Sequence, residues 1–413
     1  MTTRARGRFR AAVPTGILVV GVLAAVTGPV GAAAKPHATA ALYVAPKNGR
    51  AKLLGGCKTA AYSQINPAIR AAAVGDTIVV CAGTYTGSAS VKVPISAKAS
   101  VTVTSGALIT KAISLIGEPG AVIKANGLVN GVTLLGPGSA GAVVNGITAE
   151  DAIGEGILAV ETAGVRIENS TVVHNDDGGP KSAWIECQNP GQVIPNDCGE
   201  GLHLMTVTNA TVLNDTVEFN SGGILLSDEF GPTSRNVIKG NLVEDNESDC
   251  GITIVGHNAH AVNAAGVPQP KIAGVYDNLI VGNSVLSNGT TGEGGGVLLA
   301  GAASYDNTIS DNEIAGNGLS GVTIHEHGVD ALSDDVIVDN WIGTNNITGD
   351  PGTADQLTTG IFVEKDSPKL PKITITIKNN TIAWNHYGVF DNTAGPLHLS
   401  DNTFRHVEKS LQL

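Results

Sequence analysis

Between Gly131 and Asn402 the chain alternates apolar and polar residues in short runs, and each run restarts at a glycine. The openings are Gly131, Gly156, Gly201, Gly223, Gly251, Gly296, Gly321, Gly360 and Gly388, as in Gly-Ile-Leu-Leu from 223 and Gly-Val-Thr-Ile from 321. A period of two sends successive side chains to opposite faces of a strand, and helical periodicity is missing from this stretch. Polar residues recur behind each run. A first column reads Asn145, Ser170, Asp215, Asn241, Asn283, Asn312, Asn340, Asn380 and Asn402. Five residues beyond most of these comes a second: Glu150, Asn175, Asn220, Asn246, Asn288, Asn317, Asn345 and Asn385. In four units the glycine and the first column are 14 residues apart.

Uninterrupted units of 22 to 28 residues, as between Gly201, Gly223 and Gly251, fall in the range of solenoid repeats. One unit cannot bury its own apolar face, so the turns must stack and their strands form parallel sheets. The pattern therefore predicts an all-β parallel β-helix of about a dozen turns. Asn suits the two columns because it tolerates left-handed turns and its amide can hydrogen-bond the equivalent Asn one turn away. The same ladder accounts for the Asn-X-Ser/Thr triplets at Asn169, Asn209, Asn214 and Asn288 without glycosylation.

Residues 1–40 read as a secretory signal: Arg4, Arg6, Arg8 and Arg10, an apolar run from Ile17 to Val26, then small Ala-rich residues, with cleavage after Ala34 or Ala40. The run is too short and Ala-rich for a comfortable membrane span. Losing this segment removes five of the 25 basic residues and no acid, so the net charge moves from −12 to −17. That argues against nucleic acid or anionic membrane as partner, since both need a cationic surface. Five cysteines in an exported chain point to disulfides with one left over. Cys57 with Cys81 would staple the N-terminal part and Cys187 with Cys198 would close an insertion; pairing of Cys250 with either of the latter two stays open.

Residues 41–130 read as the cap and first turns, with an amphipathic helix from Asn66-Pro67 covering the open end of the coil. Residues 131–413 form the repeats, interrupted by insertions at 180–200, 258–275 and 346–359, where binding is often built. Trp184 in the first insertion is a candidate for stacking on a sugar ring. The segments Gly75-Asp-Thr-Ile-Val-Val-Cys-Ala-Gly-Thr-Tyr-Thr and Ala112-Ile-Ser-Leu-Ile-Gly-Glu-Pro-Gly-Ala-Val-Ile resemble the entry of secreted right-handed β-helix proteins of the pectate-lyase-like superfamily. This resemblance implies a right-handed coil and leaves the chemistry open, because the superfamily carries lyases, hydrolases, epimerases, transferases and non-catalytic binders. The Asn-Thr-Asp, Gly-Asp-Asp and Gly-His-Gly set of polygalacturonases is absent, as is the Asp-Pro-His-Asp of mannuronan epimerases.

Aligned on the opening glycine, the fourth to sixth following positions read Met205-Thr-Val, Ser227-Asp228-Glu229, Val255-Gly-His257, Ala300-Gly-Ala302, His325-Glu326-His327 and Glu364-Lys365-Asp366. Stacking places these about 4.8 Å apart from turn to turn. The expectation is a bare saddle at Ala300 to Ala302 with ionisable groups on both sides, suited to a glycan lying across the coil. Glu326 beside Glu364 or Asp366 would stand roughly 5 Å apart, near the separation of a retaining glycosidase pair. His325, Glu326, His327, Glu364 and Asp366 are the candidate catalytic groups; Asp228, Glu229, His257, Lys365 and Trp184 are candidate substrate-binding groups. His325 and His327, two residues apart, also offer metal ligands together with Asp228, His257 or Glu364, and carboxylates here suit Ca2+. The resulting reading is a secreted monomer that binds and cleaves or modifies a polysaccharide, a hydrolase or transferase before a lyase or epimerase. The competing reading is a non-catalytic carbohydrate-binding protein of the cell wall or extracellular space.

Overall fold

The computed structural model describes residues 40–48, 54–96, 99–175, 200–256, 274–291, 294–301, 303–326, 332–349, 356–365, 373–393 and 397–413. Residues 1–39 of the segment read as a secretory signal, Trp184, Cys187 and Cys198 of the expected second disulfide, His257, Ala302, His327 and Asp366 lie outside these residues, as do 180–199, 258–273 and 350–355 of the three insertions. Glu326 is described by its backbone alone.

Each turn contributes one strand to each of three parallel stacks. The long-strand sheet runs from Ala99–Ile109 and Asn130–Leu135 through Glu200–Thr208, Gly222–Ser227, Ile252–Gly256, Val297–Gly301, Val322–Glu326 and Thr359–Lys365 to Lys409–Gln412. A second stack starts at Ala41–Val44 and ends at His398–Ser400, and a third runs from Gly83–Tyr85 to Thr403–Arg405. The chain is a parallel β-helix, as the period requires. In the long-strand sheet the residues one and three after each glycine point inward; Ile224, Leu226, Ile252, Ile254, Val297 and Leu299 are all fully buried in one continuous core.

The glycine column has a steric cause. A Cβ on Gly296 would lie 2.5 Å from Ile314 Cγ2 and 2.9 Å from Asn317 Nδ2, so the ladder Asn of the same turn occupies the space a side chain would need. Gly296→Ala is expected to lower stability by about 1–3 kcal/mol through overpacking, and an unchanged denaturation midpoint would remove this account of the column.

Both Asn columns form ladders, with two corrections. Asn288 is typical: its Nδ2 donates to Asn317 Oδ1 at 3.1 Å and to Val243 O at 3.0 Å, while its Oδ1 accepts from Asn246 Nδ2 at 2.8 Å. Asn145 and Glu150, however, stand outside the ladders. Asn145 is in register with Glu168, and Ile147 N takes the place opposite Ser170; likewise Glu150 is in register with Val173, and Ala152 N binds Asn175 Oδ1. The ladder position of this turn falls at Ile147, 16 residues after Gly131, so the 14-residue spacing to Asn145 is coincidental. The left-handed residue is also the one preceding the ladder position, whether that position is Asn or, as at Ser170, Ala210 and Asp215, another residue: Asn169, Asn209, Asn214, Asp245, Asp277, Ser287 and Asp311 all have φ between 50° and 57°. Of the triplet asparagines named above, Asn169, Asn209 and Asn214 thus serve as turn residues and Asn288 as a ladder member. A third ladder, Asn236 to Asn278 to Asn307 to Asp335, was not anticipated.

The N-terminal helix, Ile65–Ala71, covers the end of the coil with Ile65, Ala68 and Ile69 buried. Asn66 lies inside it and is a tie: its Nδ2 donates to Gly106 O and its Oδ1 accepts from Leu108 N. Cys57 and Cys81 are bridged, with Cα atoms 5.8 Å apart. Cys250 keeps a free, buried thiol that burial pushes well above the usual range, which makes it an inert core group.

Candidate functional site

Register decides which residues meet. On the outer face of the long-strand sheet, the position four after each glycine reads Leu135, Val160, Met205, Ser227, Val255, Ala300, His325 and Glu364 on successive strands. Two residues earlier, on the same face, the column reads Leu158, His203, Leu225, Thr253, Leu298, Thr323 and Phe362.

Three expectations change. Glu364 lies opposite His325, and Glu326 lies opposite Lys365. The Glu326–Glu364 pair is therefore one residue out of register, and a one-residue offset separates positions that share a face. The saddle is not bare: Ala300 and Val255 are 2% and 7% exposed and pack with Leu225 and Leu298 as a covered apolar cluster. Asp228 is fully buried, so it does not present a solvated binding carboxylate. Glu229, His325, Glu364 and Lys365 are half-buried and remain at the surface of the column.

The first part of this face is closed over by an antiparallel excursion, Ala89–Ser96 with Ala99–Ile109. Its Val103 packs with Leu158, Val160, Met205 and Phe230. Below this cover the structure assembles a group that the sequence reading did not single out. Glu155 Oε1 lies 3.0 Å from His203 Nδ1, His203 Nε2 lies 2.6 Å from Ser227 Oγ, and Ser227 Oγ donates to Glu229 Oε2. The second oxygen of Glu155 accepts from Glu200 N at 2.8 Å. Glu155, His203 and Ser227 have no exposed surface. A signal existed: Glu155 and Glu200 immediately precede the opening glycines Gly156 and Gly201, and His203 occupies a position where neighbouring turns carry Leu or Thr. Glu155, Glu200 and His203 each place one ligand atom within 4.8 Å of the others, the one fully buried set of this kind among the described residues. Both ring nitrogens of His203 are engaged by Glu155 and Ser227, so the contacts describe a hydrogen-bonded chain.

Next to this group stands an aromatic pair. Tyr276 and Tyr305 occupy equivalent positions on the short strands that follow the column and stack at 4.9 Å with an 8° interplanar angle. Burial first, then the field of Tyr276, Asp306, Asp277 and Asp228, pushes the Tyr305 hydroxyl up to about 12, so it stays protonated and able to donate. At the far end, Phe362 and Phe390 pack at 5.2 Å beside the His325–Glu364 pair.

The family of right-handed β-helix regions matches residues 100–265 and 269–404. The chain belongs to this family. The coil is thus right-handed, as the resemblance implied. Among solved structures, the A-module of the mannuronan C-5 epimerase AlgE4 from Azotobacter vinelandii is similar at a TM-score of 0.54 and 18% identity, covering 82% of this chain and 89% of that one. An alginate lyase of Paenibacillus gives 0.48 and 14%, covering 91% and 99%, and PfbA, a surface adhesin of Streptococcus pneumoniae, 0.48 and 12%, covering 84% and 86%. No curated protein matches the chain. At these identities the likeness concerns the fold.

Proposed function

We propose that this right-handed β-helix protein is exported and binds and processes a polysaccharide along the outer face of its long-strand sheet. The observation that carries the reading is the pairing of two half-buried ionisable groups, His325 and Glu364, on adjacent strands of that face, with half-buried Glu229 three strands away along it and the half-exposed Tyr276–Tyr305 stack on the short strands that follow the column. Stacked aromatic faces suit the apolar faces of sugar rings. His325 and Glu364 on adjacent strands are within reach of one bound sugar and provide a proton donor and acceptor.

The strongly acidic chain disfavours free polyuronate and favours a neutral or cation-bridged glycan. Hydrolysis or transglycosylation is therefore preferred to elimination, which would call for cations around the substrate carboxylate; Lys365 is the one cation of the column. The test is a panel of polysaccharides read both for binding and for products. Glu364→Gln and His325→Gln are expected to lower turnover by roughly 10²–10⁴-fold with binding retained. Unimpaired turnover in both variants rules out this pair, and binding without products across the panel establishes the non-catalytic alternative.

A further inference from the structure

The Glu155–His203–Ser227–Glu229 chain runs from fully buried to half-exposed, and its surface end is held by an unusual backbone. Thr206 has φ 55°, a left-handed conformation rarely adopted by a β-branched residue. Its hydroxyl donates to Gly231 O and accepts from Phe230 N, clamping the turn that follows Glu229. Thr233, fully buried, donates to the carbonyl of Ser227 itself. Glu161, the equivalent residue of the preceding strand, has the same conformation at φ 48°, so the bend is shared by the two turns and the hydroxyl contacts of Thr206 are what fix the segment after Glu229.

We propose that Glu229 is a proton-transfer group of this face and that Ser227, His203 and Glu155 form a relay that stores its proton. Three hydrogen bonds link the four side chains, and with Glu155 ionised and accepting from Nδ1 their polarity has two solutions. In the first, His203 donates from Nδ1 to Glu155 and from Nε2 to Ser227, and Ser227 donates to an ionised Glu229. In the second, His203 keeps only the Nδ1 hydrogen, Ser227 donates to Nε2, and a protonated Glu229 donates to Ser227. The two interconvert when the Nε2 hydrogen passes to Ser227 Oγ as the Ser227 hydrogen passes to Glu229 Oε2. One proton leaves His203 and one arrives at Glu229; no other bond changes. Glu229 can then protonate a leaving glycan oxygen, or take a proton from an attacking hydroxyl and return it to His203. Glu155, with Glu200 NH fixing its other oxygen, orients the ring and sets its tautomer. Ser227, His203 and Glu155 touch no substrate and act through Glu229.

The role of Glu229 in turnover rests on the proposed glycan reading, whereas the relay itself is tested without substrate. The experiment uses the full-length protein with 15N-labelled histidine and follows the His203 ring resonances. In Glu229→Gln, an isosteric change at a half-exposed position, the carboxylate charge that holds the first arrangement is removed and the amide N–H can donate to Ser227, which favours the second arrangement. The expected result is a large downfield shift of Nε2 toward the position of an unprotonated nitrogen. In Ser227→Ala, adding Glu229→Gln is expected to leave the His203 signals where they were. Identical His203 spectra in the unmodified protein and Glu229→Gln overturn the relay, as does a shift that survives the Ser227→Ala background. Where a glycan is turned over, Glu229→Gln is expected to lower kcat by roughly 10²-fold or more and Ser227→Ala by roughly 10-fold, both with KM little changed. A panel without products alongside the Nε2 shift defeats the glycan reading and leaves the relay standing.

Discussion

Asn288→Ala is expected to destabilise the coil by about 4 kcal/mol, the largest single loss predicted for a ladder position. Asn288 is fully buried and sits in the middle of its column. Its removal strips Val243 O and Asn317 Oδ1 of a donor, and Asn246 N and Nδ2 of an acceptor, all in a dry corner. An unmade buried hydrogen bond costs about 1–3 kcal/mol per group, and partial relaxation keeps the sum below the arithmetic maximum. The contrast is Asn402, which ends the other column and is half-buried: its Oδ1 accepts from Asn380 N and Nδ2, but water can take over those roles. Asn402→Ala is expected to cost about 1 kcal/mol. Denaturant unfolding of the two variants checks the pair, and equal costs would show that burial is not what makes the ladder valuable.

Asp335→Asn is expected to stabilise the protein by about 2–4 kcal/mol at pH 8 and by almost nothing at pH 4. Asp335 ends the third ladder where an Asn would serve. Its Oδ1 accepts from Asn307 N at 2.8 Å and Nδ2 at 3.0 Å, and its fully buried Oδ2 has no hydrogen-bond partner among the described residues. Burial, with smaller contributions from Asp306 and Asp334, pushes the carboxyl from 3.8 up to about 7.

A carboxyl raised in the folded state binds a proton that the unfolded chain has already lost. The Asp335 contribution to stability is therefore greatest below pH 4, falls as pH rises from about 4 to about 7, and is level above. The Asn variant removes that slope and supplies a donor; by the pattern of Asn278 and Asn307, which reach the carbonyls of Thr233 and Val275, that donor would meet Ser304 O. Asp215, also pushed up to about 7 by burial, contributes a slope of the same sign that remains in the single variant and disappears in the double variant. Parallel stability–pH curves for Asp335→Asn and the unmodified protein would refute the assignment.

Both effects come from the same architecture. A side-chain amide carries a donor and an acceptor, so a column of asparagines can hand hydrogen bonds from turn to turn with no charge. A carboxylate in the same place accepts but cannot donate unless protonated. The relay on the outer face uses the complementary property: His203 and Ser227 both donate and accept, so a chain that ends in carboxylates can shift a proton along its length.

Much of this was legible along the chain because a solenoid converts sequence period directly into spatial neighbourhood. Glycine spacing placed Ser227, Val255, Ala300, His325 and Glu364 on one line, and the strand register agrees. The displaced early turn, with Asn145 and Glu150 outside the ladders, was hidden because its ladder positions are the apolar Ile147 and Ala152, while polar residues stand two positions earlier at the spacing of other turns. The relay was missed for a different reason. Glu155, His203 and Ser227 come from three different turns and from different offsets to the glycine, so no single aligned position displays them together.

The sequence alone determined the coil, its apolar interior, the need for a cap and the uncharged ladders, since each follows from a local period and from residues that must repeat to satisfy it. Only the tertiary structure decided which charged groups face one another. Strand register set Glu364 against His325 rather than Glu326, put Ala300 in one buried apolar cluster with Leu225 and Val255, and brought His203 into line between Glu155 and Ser227. Those outcomes depend on register and burial, which are properties of neighbouring turns together and of no single turn.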